Sequence, residues 1–175
     1  MKHKLLIFGV VAMIVLASCN NQHKIENWEP VLFESVGAPF LKQPARFIEF
    51  NGPYADGENN DGIGFSFETK NHDQSRKYLE QCIKDLVKYA DNVYDLSEYH
   101  HSDSKLTLEK LQEYAVKKSD IRLKGSQWGG AYSCSVAYSK NGKYFKFTGG
   151  YQVYNVHERA TCMVGFFPLS HLSAL

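Results

Sequence analysis

No apolar run in this sequence is long enough to cross a bilayer as a conventional helix. The most apolar stretch, Leu5–Leu16, stops well short of the roughly 20 residues a span requires. Charge of one sign is also missing. Lys and Arg number 20 against 19 Asp and Glu, a formal net charge of +1, which argues against the basic stripe a nucleic-acid binder needs to neutralise phosphates. Catalytic signatures are absent as well: there is no nucleophile elbow, P-loop, dinucleotide fingerprint or paired-cysteine metal motif. With 43% hydrophobic and 22% charged residues, the chain is neither disordered nor multi-spanning. Its 175 residues suffice for one domain with its own core and leave little room for two. The one excess is aromatic, with 11 Tyr, 11 Phe and 2 Trp, a β-rich composition.

The first 18 residues read as an export leader. Lys2 and Lys4 form a cationic start and Leu5–Leu16 an uncharged apolar region. The segment ends Leu16-Ala17-Ser18-Cys19, which closely resembles the lipobox of bacterial lipoproteins: Leu, two small residues, then Cys. The resemblance implies a diacylglycerol thioether on Cys19, cleavage before it and a soluble domain on a lipid tether, firmly held once two or three acyl chains are attached. Loss of Lys2 and Lys4 leaves 18 basic against 19 acidic residues, so the balance becomes −1. Asn20, rather than Asp, follows the lipid Cys, and no acidic run succeeds it. This resembles lipoproteins sorted to the outer membrane and facing the periplasm. Three regions are therefore expected: a leader over 1–18, a lipidated tether over 19–30 ending at Pro30, and a single α+β domain over 31–175.

Residues 46–50 (Arg46-Phe47-Ile48-Glu49-Phe50) predict a short strand, and Ile63–Glu68 a second with Ile63, Phe65 and Phe67 on one face. Asn51-Gly52-Pro53 and the acidic run from Asp56 to Gly62 read as the connection. That run fails the EF-hand pattern, because Gly62 falls at the seventh position and Phe67 at the twelfth, so a solvated turn is the better reading. Asn71–Tyr94 predicts the longest helix. Leu79, Cys82, Ile83, Leu86, Val87, Ala90, Val93 and Tyr94 form its apolar stripe, and Asn71 with Gln74 a capping box. A second helix is expected over Leu108 to about Lys118. Thr107 would cap it, Leu106 and Leu111 would staple it, and Leu108, Leu111 and Ala115 would face inward. Asp120–Lys124 predicts a shorter strand.

The last third is the most legible. Ala131–Lys140, Asn141-Gly142 and Lys143–Tyr154 predict a hairpin whose two-residue turn fixes the register. Tyr138 then faces Phe145, Val136 faces Phe147, Cys134 faces Gly149 and Tyr132 faces Tyr151, all on the core side. Arg159–Phe167 predicts a third strand with Ala160, Cys162, Val164 and Phe166 inward. Cys134 and Cys162 then flank the same strand, about 10 Å apart and out of disulfide reach. A bond from Cys82 to either is geometrically open; buried free thiols are the default.

From Leu106 onward the order is helix, Ile121-Arg122-Leu123 strand, Gly129-Gly130 turn, strand, Asn141-Gly142 turn, aromatic strand and final strand. It looks like the PsbP-like fold, whose bacterial lipoprotein members include the DcrB family. The resemblance covers about 65 residues and implies an antiparallel β-meander packed against helices, as an α/β/α sandwich. It implies no activity, and the tryptophan-containing turn of those relatives is missing after the first hairpin.

The outer side of the hairpin is the candidate interaction surface. Ala131, Ser133, Ser135 and Ala137 leave a shallow trough beside Tyr144, Lys146, Gln152 and Tyr154. Such a trough seats either a helix, supplied by the second helix or the segment after Pro168, or a partner. Trp128, in a Gly-rich loop, is a further partner anchor or a packing residue. Gly149-Gly150 lies mid-strand and predicts a bulge or a close helix approach rather than a phosphate loop. His100, His101 and Asp103 on a polar connection offer only a weak surface metal site. Cys162 with His157 or His171 suggests a thiol nucleophile only if Cys162 is not buried. These features predict no catalytic residues, no metal and no cofactor. The expected role is a lipid-anchored envelope interaction or assembly factor with an envelope protein as partner. The alternatives are an immunity or inhibitor protein against an envelope-directed toxin or hydrolase, and a periplasmic hydrolase or metal-binding protein, which would need converging titratable groups.

Overall fold

A computed structural model of the chain describes residues 23–24, 28, 30–45, 48–56, 61–99, 106–125, 130–153 and 159–172. The strands are β1 (His23–Lys24), β2 (Glu49–Asp56), β3 (Gly62–Thr69), β4 (Asn92–Asp95), β5 (Lys124–Gly125), β6 (Ala131–Lys140), β7 (Lys143–Val153) and β8 (Ala160–Pro168). The helices are α1 (Pro30–Glu34), α2 (His72–Tyr89) and α3 (Leu108–Glu113), with 3-10 turns at Lys118–Asp120 and Ser170–Leu172. The strands build one antiparallel sheet in the order β1-β2-β3-β8-β7-β6-β4, and β5 lies beside β4 on the same edge of β6. The fold is α+β, an antiparallel sheet packed against helices.

The hairpin register follows from its turn. Asn141 and Gly142 both take positive φ, 51° and 75°, the conformation a two-residue type I′ turn demands. Tyr138 therefore pairs with Phe145, Val136 with Phe147, Cys134 with Gly149 and Tyr132 with Tyr151, as the sequence predicts. Strand alternation then sends Val136, Tyr138, Phe147, Phe166, Cys162 and Val164 to one buried face, joined by Phe65 and Phe67 of β3. α2 covers this face with Leu79, Cys82, Ile83 and Leu86. At its N-terminus Asn71 Oδ1 accepts the Asp73 N–H at 2.8 Å, while Gln74 reaches Asn71 through its own backbone N–H. At Gly149 the helix comes close to the sheet: a Cβ there would stand 3.0 Å from Leu79 Cδ2 and 2.5 Å from Phe147 Cζ. Gly149 is thus explained by the helix, whereas Gly150 points to the other face, where a Cβ would stand 2.8 Å from Tyr132 O; β6–β7 pairing runs unbroken through both.

The segment after α1 completes the core. Phe33, Val36, Ala38 and Leu41 are buried against the far end of the sheet, and Tyr138 Oη donates to Gly37 O at 3.0 Å. Gly37 takes φ +77°, with the Phe145 ring 2.6 Å from where a Cβ would sit. Trp28 packs on Phe33 and Phe65 at centroid distances of 4.6 and 5.0 Å.

Several expectations are corrected. The long helix ends at Tyr89 rather than Tyr94, because Val93 and Tyr94 belong to β4 and pair with Tyr138 and Ala137. Val93 faces the main core and Tyr94 the opposite side, which is why consecutive apolar residues mimicked a helical stripe. Asn51-Gly52-Pro53 is not a turn; β2 runs through it with a register shift between Asn51 and Tyr54. The Asp120–Lys124 strand reduces to Lys124–Gly125. α3 is six residues long, and of its expected inward face only Leu111 is buried; Leu108 and Ala115 are exposed. Within 19–30, His23–Lys24 pairs with Ala55 and Tyr54, and Trp28 packs on Phe33. No helix among the described residues is long and apolar enough to cross a membrane.

Candidate functional site

Alternation fixes the outer face as firmly as the core. It carries Ser133, Ser135, Ala137 and Ser139 from β6, Tyr144, Lys146, Thr148, Gly150 and Gln152 from β7, Met163, Gly165 and Phe167 from β8, and Gly64 and Ser66 from β3. One end is covered. Tyr94, Leu96, Leu106, Leu111, Ala137 and Leu172 form a second buried cluster with Tyr144 and Leu169 packed on it. α3 and the segment after Pro168 both contribute, the two sources the sequence points to. His171 Nε2 lies 3.2 Å from Leu106 O and ties them together.

The rest of the face is a shallow trough of about 480 Å³. Two cross-strand rows form its floor. One runs Gly64, Gly165, Thr148, Ser135; the other runs Ser66, Met163, Gly150, Ser133. The floor is low because its side chains are small: three glycines, three serines and a threonine lie across four strands. Met163, 51% exposed, stands in its middle. The Phe167 ring leans over Gly165, 2.8 Å from the position of an added Cβ. Hydroxyls line the trough and one flexible, polarisable thioether projects from it, so the surface suits docking by close backbone approach.

Of the residues singled out from sequence, Tyr144 lies half-buried in the covered end, 6.5 Å from the Tyr94 ring. Lys146 is half-buried one row beyond the trough, and burial holds its ammonium below the usual lysine value. Gln152 is exposed past the opposite end. The three share a face without forming one cluster. Cys19, Trp128, Tyr154, His100, His101, Asp103 and His157 lie outside the described residues. Gly64, Ser66, Met163 and Gly165 were not legible as site residues, because strand order alone brings β3 and β8 beside the hairpin; the outward alternation of Met163 and Gly165 was the available signal.

The three described thiols face the core. Burial pushes Cys82 and Cys134 up to about 12 and Cys162 well above its ordinary value, Cys82 through desolvation that outweighs its hydrogen bond with Tyr78. All three are free and buried. A thiol held protonated and away from solvent is a poor nucleophile. Among the described residues no group of three His, Cys, Asp or Glu side chains is placed to hold a metal ion. No protein-family model, curated protein or solved structure matches the chain.

Proposed function

We propose that this chain is an envelope lipoprotein, anchored by lipid on Cys19 at the outer membrane and facing the periplasm. It acts by non-catalytic binding, as an interaction or assembly factor. The observation that carries this reading is the leader's sequence pattern: Lys2 and Lys4, the apolar Leu5–Leu16 region, then Leu16-Ala17-Ser18-Cys19. The trough on the outer face supports it by offering a contact surface of small side chains around an exposed methionine. The element order from Leu106 onward also supports a PsbP-like, DcrB-like domain.

Fractionation tests the anchor. The wild-type chain stays with membranes and incorporates a labelled fatty acid, whereas Cys19→Ser loses the label and moves to the soluble fraction; unchanged fractionation overturns the reading. The surface is tested with Ser133→Trp, a change at an exposed position whose Tm should match wild type. It should abolish in-cell cross-linking to the envelope partner. A single co-encoded toxin as that partner would replace the assembly role with the inhibitor one.

A further inference from the structure

A second concavity lies on the opposite side of the sheet, between α2 and the extended segment Ile121–Leu123. Its volume is about 550 Å³. The wall on α2 is one stripe: Arg76, Glu80, Ile83, Lys84 and Val87 recur at helical spacing. From Arg76 to Val87 the stripe spans about 16 Å at about 1.5 Å per residue. That length accommodates about five residues of extended chain at roughly 3.3 Å each.

The floor is apolar and the rim is cationic. Ile83 and Ile121 are buried, and Val87 and Leu123 half-buried. Arg76, Lys84 and Arg122 stand exposed around them. The sole acid of the lining, Glu80, is engaged with Arg76 at 2.8 Å. Among the described residues neither Lys84 nor Arg122 has a carboxylate within ion-pair distance. The rim therefore carries two uncompensated positive charges. Tyr132 closes one end. It is 39% exposed and lies parallel to Tyr151, centroids 5.0 Å apart and planes 14° apart, which holds its ring rigid. Arginine and a pre-set tyrosine around an apolar floor are the groups that dominate binding energy at protein interfaces.

We propose that this groove docks a short, extended acidic segment of a partner protein, its apolar side chains seated on Ile83, Val87, Ile121 and Leu123 and its carboxylates on Lys84 and Arg122. The alternation of apolar floor and cationic rim over five residues matches a chain that alternates acidic and apolar side chains. An acyl chain would instead require a continuous apolar channel. The inference rests on the reading of the chain as an interaction factor but uses a different surface from the trough.

The test pans a random short-peptide display library against the full chain immobilised through a C-terminal affinity tag, so that capture does not depend on the lipid. Recovered peptides should alternate Asp or Glu with Leu, Ile or Phe. Their affinity should fall at least about tenfold, some 1.4 kcal/mol, for the Lys84→Glu, Arg122→Glu double variant. Both positions are exposed, so circular dichroism and Tm should be unchanged. Recovery of no peptides, of peptides without acidic bias, or of peptides that bind the double variant equally would overturn the proposal. So would phosphatidylglycerol vesicles that displace the peptides and lose binding in the same variant, since they would assign the groove to lipid. Membrane fractionation of Cys19→Ser reads only the anchor, so either idea can fail without the other.

Discussion

The carboxylate of Asp91 holds the hairpin turn at Asn141, 50 positions along the chain. Its Oδ2 accepts the Asn141 N–H at 2.8 Å and its Oδ1 accepts from Lys140 Nζ at 2.8 Å. The Asp91 N–H in turn donates to Ser139 O at 2.8 Å. The loop leaving α2 is thereby clamped to the tip of the β6–β7 hairpin. The Lys140 hydrogen bond first, then the Asn141 N–H, hold the Asp91 carboxyl below its ordinary value. A lowered folded-state pKa gives stability that is present above the unfolded value of about 3.9 and lost as pH falls through the folded one. Asp91→Asn should lower Tm near neutrality, and its gap from wild type should close in acid. Thermal melts across a pH series read this; a gap that persists at low pH would show that the charge is not the cause.

Gly149 leaves no room for a side chain. A β-carbon there would meet the Phe147 ring, which is fully buried and cannot swing aside, and the Leu79 methyl. Gly149→Val should cost about 1–3 kcal/mol by forcing α2 off the sheet. Gly142→Asn, at the open turn where nothing lies within 4 Å of an added Cβ, should cost much less. Urea midpoints of the two variants give the comparison.

The Tyr138 hydroxyl crosses 101 positions to reach Gly37 O. Tyr138→Phe keeps the ring but leaves that carbonyl unpaired, at about 1–2 kcal/mol. Hydrogen exchange should rise in residues 33–41 and stay unchanged in β7 and β8. A uniform rise would mean that the hydroxyl supports global stability instead.

Burial keeps the three core thiols protonated, which makes them slow to alkylate. In a Cys19→Ser background at pH 8, iodoacetamide should label Cys134 first, the most exposed of the three at 6%, and Cys162 last, at 0%. Denaturant should release all three at once. Because folding raises these pKa values, their stabilising contribution is complete below the unfolded value of about 8.5 and is lost toward about 12 for Cys82 and Cys134. Urea midpoints should therefore fall on the alkaline side, and less so in Cys134→Ala.

How much was legible depended on how local the determinant was. Asn141-Gly142 names its own turn, and every pairing from Ala131–Gln152 to Lys140–Lys143 follows from it. Thr107 caps α3 as expected, its hydroxyl accepting the Lys110 N–H at 3.2 Å. Val93-Tyr94 misled because a sheet-edge strand buried on both faces places adjacent apolar residues where a helix also would. Gly52-Pro53 reads as punctuation in sequence, yet a bulged outer strand accommodates both. Phe33, Val36 and Leu41 lie in a segment with no period of its own; only Pro30 at the first position of α1 signals a helix there. The trough was half visible, since β6 and β7 supply one side and a strand order not written in local sequence supplies the other.

The outermost long strand has a further consequence. Among the described residues β1 pairs with Tyr54 and Ala55 alone, and Glu49 to Pro53 of β2 have no strand partner on that side. That stretch is interrupted by the register shift at Asn51–Tyr54 and contains Pro53, which has no N–H to offer a neighbour. At the opposite rim β4 is four residues long, and Tyr94 is bridged to Ala115. Neither margin can template an added strand over any length. Under the lipid anchor proposed above, copies of the chain would meet at high local density in two dimensions, and sheet margins built this way would let them collide side by side without polymerising.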